Sequence, residues 1–266
     1  MSAADSRKPW MARLADSAKA RVRTSRAGGS SRLGPGAAKA PDGASHRARA
    51  AQGLGLTSER LRERMVERLR SSGVIHPAVL AAMAGIERHR FVDEALASRA
   101  YEDTALPIGF EQTISQPLIV ALMTEAVLGA PRVARVLEVG TGCGYQAAVL
   151  AQCCGEVYSI ERISALHQRA RLNLRALRLA NLRLVCGDGM QGLAEAAPFD
   201  AMLIAAAASD LPAALLGQLA IGGRAVAPLG GRDEQLLCVI TRAGPDQYTR
   251  QILERVRFVP LLPGVE

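Results

Sequence analysis

Three closely spaced glycines follow an apolar run and could bind a ligand through their backbone. Residues 136–146 read VLEVGTGCGYQ, with glycines at Gly140, Gly142 and Gly144. Glycine allows the chain to turn tightly and to approach a ligand without a Cβ clash. Gly142 and Gly144, with the alanine at position 147, also fit the dinucleotide-binding pattern. The loop alone therefore does not distinguish NAD from S-adenosylmethionine.

Acidic residues close to the ends of three predicted strands shift this choice towards S-adenosylmethionine. Glu138 precedes the first glycine, where a carboxylate can organise the loop and interact with a cationic amino-acid end, whereas a pyrophosphate would be repelled. Glu161 can accept both ribose hydroxyls, a feature common to both cofactors. Asp188, or the backbone beside it, can reach an adenine amino group. The alternative is that these are ordinary helix-flanking acids and turn glycines. The predicted cofactor-binding residues are Glu138, Gly140, Thr141, Gly142, Gly144, Glu161, Asp188 and Gly189.

A polar block before the first strand carries a family resemblance. Residues 101–117 read YEDTALPIGFEQTISQP. Together with FDA at residues 199–201 and RFVPL at residues 257–261, this block resembles the protein-L-isoaspartate (D-aspartate) O-methyltransferase family over roughly residues 60–262. The resemblance implies methyl transfer from S-adenosylmethionine to the free α-carboxylate of L-isoaspartyl and D-aspartyl residues in damaged proteins. The ester then collapses to a succinimide, which initiates repair.

The resemblance also implies that Ser115 is the active-site residue and that Thr113 and Ile114 line the acceptor pocket. A carboxylate is already ionised at neutral pH, so it needs no general base to attack a methyl group. No Arg or Lys occurs between Tyr101 and Pro131. We therefore expect the Ser115 hydroxyl to give a single orienting hydrogen bond. The competing interpretation is that Thr113 to Ser115 only cap the helix that begins near Pro117.

Apolar runs of strand length alternate with helical stretches, and these elements must position the site. The pattern predicts a doubly wound, mostly parallel α/β sheet, which is the Rossmann-like fold of class I S-adenosylmethionine methyltransferases. A tight turn joins the last two strands, so we expect them to be antiparallel. Two helices, from Thr57 or Ser58 and from Pro77, form an N-terminal extension, and residues 91–109 look irregular. The predicted strands are 133–139, 156–160, 182–186, 199–205, 235–241 and 248–259, and the predicted helices include 145–154 and 164–177.

The formal net charge of +8 is concentrated at the start of the chain. Residues 1–52 contain 11 basic and 3 acidic residues, whereas residues 53–266 contain 22 of each. The composition predicts a disordered basic tail over 1–52, and a transit peptide or a nucleic-acid-binding arm has a similar composition. The methyltransferase domain is predicted over 53–266. It comprises a helical prelude with the acceptor segment (53–115) and the cofactor-binding sheet (116–266).

Other features limit the possible classes of protein. The five cysteines show no paired spacing, so neither a disulfide framework nor a metal site is expected. No apolar run suits a membrane span, and we expect a cytoplasmic monomer. The basic tail leaves two rivals: a nucleic-acid methyltransferase and a non-enzymatic binding protein. Against the first, residues 206–208 are alanines where amino-methylating enzymes have an N-P-P-aromatic element that holds a base, and aromatic residues for stacking are few. We therefore expect damaged proteins as partners.

Overall fold

The computed structural model describes residues 59–130 and 133–266. The chain divides into two units, residues 1–60 and 61–266, and of the first only the last two residues are described. The predicted tail, its boundary at residue 53 and the predicted cap at Thr57 or Ser58 lie outside the described residues. None of the helices in the described part of the chain is long and apolar enough to cross a membrane.

The N-terminal extension is helical, as predicted. Helix α1 is described from residue 59 and ends at residue 71, and helix α2 follows over Pro77–Gly85. Both bury one face through side chains such as Met65, Leu69 and Met83. The stretch after α2 is more regular than predicted, because it forms two 3₁₀ helices and the first strand of a hairpin. These elements are Arg88–Phe91, Glu94–Arg99, β1 (Leu106–Gly109) and β2 (Gln112–Ile114).

The hairpin turns through an unusual backbone conformation. Strands β1 and β2 are antiparallel, and Gly109, Phe110 and Glu111 have φ angles of 86°, 53° and 56°. Positive φ is uncommon for non-glycine residues, so neither Phe110 nor Glu111 is a residue from which a hairpin is readily predicted. This is the physical reason why the sequence pattern looked irregular here.

A seven-stranded sheet forms the rest of the domain and confirms the predicted fold class. Its strand order is β5-β4-β3-β6-β7-β8-β9. Strands β3 to β7 are parallel, while β8 runs antiparallel to both β7 and β9. The elements are α3 (Pro117–Leu128), β3 (Arg135–Val139), α4 (Tyr145–Cys153), β4 (Glu156–Glu161), α5 (Ser164–Arg175), β5 (Leu182–Cys186), β6 (Phe199–Ile204), α6 (Ala213–Gln218), β7 (Leu219–Gly230), β8 (Gln235–Gly244) and β9 (Gln247–Val256).

Strand β7 is missing from the sequence-based prediction. Its twelve residues contain Gly222, Gly223 and Pro228, which are typical of turns rather than strand interiors. In the structure the pairing with β6 shifts register at this glycine pair. A Cβ on Gly223 would lie 2.8 Å from the backbone oxygen of Asp200. The glycines therefore permit a bulge within a strand that pairs on both sides. The last strand also ends at Val256, three residues before its predicted end.

The core lies on both faces of the sheet, as a doubly wound fold requires. Leu137 and Val139 pack on one face with α6, whereas Val136 packs on the other with α3 and α4. Strand β3 lies between β4 and β6. The chain adds β4 and β5 on one side of β3 and then returns to add β6 and β7 on the other side. This reversal opens a crevice at the carboxyl ends of the parallel strands, where ligands bind in open α/β sheets.

Candidate active site

A cavity opens at this crevice and contains most of the predicted site residues. It encloses about 970 Å³, including space open to solvent, which suits a small organic ligand. Its walls come from the β1–β2 hairpin, the glycine loop after β3, the ends of β4 and β6, and residues 259–262. The predicted residues that line it are Thr113, Ile114, Ser115, Gly140, Thr141, Gly142, Glu161 and Gly189.

The glycine loop follows β3 in a conformation that favours glycine. Gly140, Gly142 and Gly144 have φ angles of +94°, +56° and +92°. The Gly140 amide donates to the Ile160 carbonyl at 2.9 Å, which ties the loop to β4. A Cβ on Gly144 would lie 2.8 Å from Leu174 Cδ1. Gly140 and Gly142 face the cavity, whereas Gly144 does not line it and is needed for packing against α5.

Glu161 at the end of β4 anchors the loop and faces the cavity. Its side chain is buried, and both oxygens accept backbone hydrogen bonds. Oε2 accepts from Gly142 N at 2.8 Å, and Oε1 accepts from Ile163 N at 2.9 Å. These two donors fix the carboxylate, while its other lone pairs can accept hydroxyl groups of a ligand.

Glu138 lies beneath the loop rather than in the cavity wall. It is fully buried and is not among the cavity-lining residues. Ser159 Oγ donates to Glu138 Oε2 and lies 2.6 Å from Thr141 Oγ1, so Glu138 reaches the loop through two hydroxyls. Burial raises the pKa of Glu138 to about 8. This placement favours the loop-organising role among the predicted ones, because a carboxyl that is mostly protonated at neutral pH is not a strong partner for a cation.

The Asp188 side chain likewise accepts hydrogen bonds from the backbone near the cavity. Oδ1 accepts from Met190 N at 2.8 Å and Oδ2 accepts from Gly264 N at 2.9 Å. Asp188 does not line the cavity, whereas its neighbour Gly189 does. The sequence left open whether the Asp188 side chain or the backbone beside it would contact a ligand. Because Gly189 lines the cavity and Asp188 does not, the geometry supports the backbone contact.

The C-terminal segment forms a wall of the cavity. Ala207 N donates to Val259 O and Leu261 N donates to Ala207 O, both at 2.7 Å. Val259 to Leu262 line the cavity. The RFVPL motif therefore ends at the site, although it follows the last strand of the sheet.

The acceptor segment joins β2 to α3, with Ser115 between them. Gln116 is the N-cap residue of α3, and its own side chain makes no capping hydrogen bond. Leu118 N instead donates to Asp103 Oδ1 at 3.0 Å. The structure therefore does not support helix capping as the purpose of Thr113 to Ser115. Within the described residues, the Ser115 hydroxyl makes no hydrogen bond and remains available to a ligand.

Two arginines that sequence analysis missed contact the β1–β2 hairpin and Ser115 from elsewhere in the chain. Arg88 Nη2 donates to Ser115 O at 2.7 Å, and Arg169 Nη1 donates to Ile108 O at 2.7 Å. Neither side chain lines the cavity. No local pattern marks them, because each contact joins residues at least 27 positions apart.

The cavity lining is otherwise nearly uncharged. Among the described residues that line it, only Glu161 and Arg162 are charged, and Arg162 pairs with Glu266 at 2.9 Å. Across residues 59–130 and 133–266, no group of three His, Cys, Asp or Glu side chains could hold a metal ion. The site can therefore bind a ligand by backbone and hydroxyl groups next to one carboxylate.

Comparison with known proteins gives consistent matches. The family model for protein-L-isoaspartate(D-aspartate) O-methyltransferase matches residues 59–266. Curated protein-L-isoaspartate O-methyltransferases from Burkholderia pseudomallei (strain 668) and Burkholderia thailandensis are 60% identical over 213 residues, or 80% of this chain. The match covers 66% and 65% of those relatives, just under two thirds of their length.

Solved structures of similarly named proteins share the fold. A protein-L-isoaspartate O-methyltransferase is similar with a TM-score of 0.68 and 30% identity, over 75% of this chain and 65% of that one. The Plasmodium falciparum β-aspartate methyltransferase, in complex with S-adenosyl-L-homocysteine, gives a TM-score of 0.66 and 26% identity. That match covers 76% of this chain and 98% of the other.

Proposed function

Since the chain belongs to the protein-L-isoaspartate (D-aspartate) O-methyltransferase family, as its sequence predicted, we propose that it methylates the free α-carboxylate of L-isoaspartyl and D-aspartyl residues in damaged proteins. The methyl donor is S-adenosylmethionine, which leaves as S-adenosylhomocysteine. The neighbouring backbone amide nitrogen then attacks the ester and expels methanol, which gives the succinimide that initiates repair. The observation that carries the proposal is a single cavity in which Thr113, Ile114 and Ser115 face the glycine loop and Glu161.

The residues at the carboxyl ends of the strands fit this cofactor. A Cβ on Gly142 would lie 3.3 Å from Ile108 Cδ1, so a side chain at that position would crowd the space beside the loop. The glycine loop, Glu161 and Gly189 would hold the amino-acid, ribose and adenine parts. Glu138, Gly144 and Asp188 do not line the cavity and would instead hold the glycine loop and the neighbouring backbone in place. When bound, the cofactor supplies a methyl group on a positively charged sulfur.

The protein's own contribution to the reaction is orientation and exclusion of water. The attacking carboxylate is ionised at neutral pH, so no residue needs to remove a proton. Ser115 would donate one hydrogen bond that orients it, and the apolar side chains of Ile114 and Val259 would keep the pocket dry. The nucleophile and the donor carry opposite charges that disperse in the transition state. A dry pocket therefore favours the reaction, whereas an arginine bound directly to the attacking oxygen would stabilise the ground state more.

The direct test is radiolabelled methyl transfer to a synthetic isoaspartyl peptide and to its aspartyl twin. We expect methyl ester on the first peptide and none on the second. Equal labelling of both peptides would contradict selective recognition of the free α-carboxylate of the isoaspartyl residue. Labelling of nucleic acid instead would support the rival methyltransferase, and no labelling of any substrate would support a binding protein.

Replacing Ser115 by alanine should lower turnover while leaving the cofactor site intact. One hydrogen bond to a charged group contributes about 1.5–3 kcal/mol, so we expect kcat on the isoaspartyl peptide to fall about 10- to 100-fold. Affinity for S-adenosylhomocysteine, measured by calorimetry, should change less than about twofold because Ser115 lies on the acceptor side. Ser71→Ala is the matched control, since this exposed serine bonds to the Glu67 carbonyl outside the cavity. Unchanged turnover in Ser115→Ala would remove the residue from the mechanism.

We also propose that the protein acts as a cytoplasmic monomer with proteins rather than nucleic acids as partners. All five cysteines are unpaired, which suits a reducing compartment. The formal charges of residues 53–266 balance, so the predicted domain presents no net attraction for a polyanion. Sedimentation of the purified chain, with and without duplex DNA, tests both points.

Deleting residues 1–52 should leave peptide methylation nearly intact. This segment holds the whole net charge but few large apolar residues, and every residue predicted for the site lies after it in the sequence. We expect kcat/KM on the isoaspartyl peptide to stay within about twofold of the full chain. Circular dichroism would verify that the truncated protein is folded. Loss of most activity in a folded truncation would assign the tail a role in the reaction.

A further inference from the structure

Arg88 carries a completely buried guanidinium group that pairs with no acidic residue in the described part of the chain. The side chain is 0% exposed. Nε donates to Ala100 O at 2.8 Å and Nη2 donates to Ser115 O at 2.7 Å, whereas the buried Nη1 finds no hydrogen-bond partner among residues 59–130 and 133–266. No salt bridge to Arg88 is formed by the residues that the structure describes. Asp103 influences it only at longer range, and its carboxylate accepts from Leu118 N.

This cation lies directly behind the acceptor side of the cavity. Its Cζ is 4.8 Å from the centroid of the Tyr145 ring, and Tyr145 lines the cavity, as Ser115 does. Cys143, another lining residue, also lies within range of its charge. One layer of protein therefore separates the guanidinium from the space beside Ser115.

An unpaired buried cation is unfavourable unless something offsets its desolvation. Burial lowers the pKa of Arg88, but an arginine starts so high that it stays charged at neutral pH. Two carbonyl oxygens accept from two of its five N–H groups, and neither these oxygens nor the Tyr145 ring brings a full negative charge. The missing counter-charge would be supplied by an anion that enters the cavity. In a low-dielectric wall, attraction of this kind acts across several ångströms.

We propose that Arg88 is the positioning residue that makes the acceptor pocket select a carboxylate over a neutral amide, by placing positive charge behind Ser115 and Tyr145. This inference rests on the proposed function, and it identifies the residue that distinguishes a charged methyl acceptor from a neutral one. The guanidinium does not line the cavity, so it attracts the carboxylate without clamping the oxygen that must attack. Its bond to Ser115 O also fixes the backbone that carries the orienting hydroxyl.

This role predicts that loss of the Arg88 charge affects KM more than kcat. The full negative charge of the acceptor exists before reaction and is partly lost in the transition state, so a distant cation stabilises the bound carboxylate more than the transition state. Neutralising Arg88 should therefore raise KM at least about tenfold and change kcat by less than about threefold.

The test compares Arg88→Gln, which keeps a hydrogen-bond donor but removes the charge, with Arg88→Lys, which keeps the charge. Calorimetry in the presence of S-adenosylhomocysteine measures the affinity for an isoaspartyl peptide and for its α-carboxamide twin. We expect the acid-to-amide affinity ratio to fall at least about tenfold in Arg88→Gln, through weaker binding of the acid alone. In Arg88→Lys the ratio should remain within about threefold of the wild type.

Arg224→Gln is the matched control, because Arg224 also donates to a backbone carbonyl, that of Ala126, but does not adjoin the cavity. Its acid-to-amide ratio should equal that of the wild type. An unchanged ratio in Arg88→Gln, or a ratio lost in a folded Arg88→Lys, would overturn the inference. If Arg88→Gln does not fold, the lysine variant alone decides. Failure of the wild-type protein to methylate the peptide would instead overturn the proposed function.

Discussion

Replacing Glu161 by alanine should weaken the binding of S-adenosylhomocysteine at least about 100-fold. The carboxylate accepts from Gly142 N and Ile163 N and faces the cavity, where it would also accept the ribose hydroxyls. Hydrogen bonds to a charged group contribute about 1.5–3 kcal/mol each, and two of them correspond to about 100-fold or more in affinity. The loss of the Gly142 contact would also release the loop that shapes the rest of the site.

Calorimetry with purified variants measures this effect. Glu161→Gln should fall between the wild type and alanine, because an amide keeps one acceptor oxygen but places a donor opposite one of the two backbone amides. Glu156→Ala is the control on the same strand: its half-exposed side chain pairs with Arg135 and Arg183 at the opposite end of β4. We expect its affinity to match the wild type. An affinity within fivefold of the wild type in Glu161→Ala would rule out Glu161 as the ribose acceptor.

Most of the residues predicted to bind the cofactor line one cavity, because this part of the chain is built locally. A buried strand, a glycine turn and a helix follow one another without interruption, and Glu161 closes the adjacent strand. Their relative positions then follow from the rule that parallel strands bring their carboxyl ends to one edge. The resemblance added Thr113 to Ser115, and the structure places them opposite the glycine loop in one cavity.

Long-range features could not be predicted in this way. Arg88 is an ordinary residue of a short 3₁₀ helix until folding buries it against Ser115. Strand β7 contains residues typical of turns, and only its two neighbouring strands make it a strand. The environment of Glu138 depends on Ser159, a residue on the next strand that no motif singles out. The partners of Arg88 and Glu138 lie 27 and 21 residues away in the chain.

Glu138 gives the second large effect, which is on the pH dependence of stability. Its pKa is about 8 in the folded protein, against an ordinary value of 4.5 that applies when the chain unfolds. Below pH 4.5 both states are protonated, and the native state keeps its full stability. Between these values the unfolded state ionises first, so the free energy of unfolding falls by about 1.4 kcal/mol per pH unit. The loss is complete above the folded pKa, and its total is about 5 kcal/mol.

The Glu138→Gln variant should remove this loss, because glutamine resembles the protonated acid and does not ionise. Urea unfolding should give similar stabilities for variant and wild type at pH 5, and at pH 8 the variant should be more stable by about 3–5 kcal/mol. The same substitution at Glu156 controls for the change of residue type. A difference between variant and wild type that stays constant from pH 5 to pH 8 would contradict a buried neutral acid.

The same variant separates the two roles that the sequence left open for Glu138. If a neutral carboxyl only supports Thr141 through Ser159, Glu138→Gln should bind S-adenosylhomocysteine within about threefold of the wild type, because the amide can continue the hydroxyl chain. If an ionised carboxylate instead attracted the cationic amino-acid end, loss of its charge should weaken binding about 30-fold or more. The burial of Glu138 and its absence from the cavity wall lead us to expect the first result.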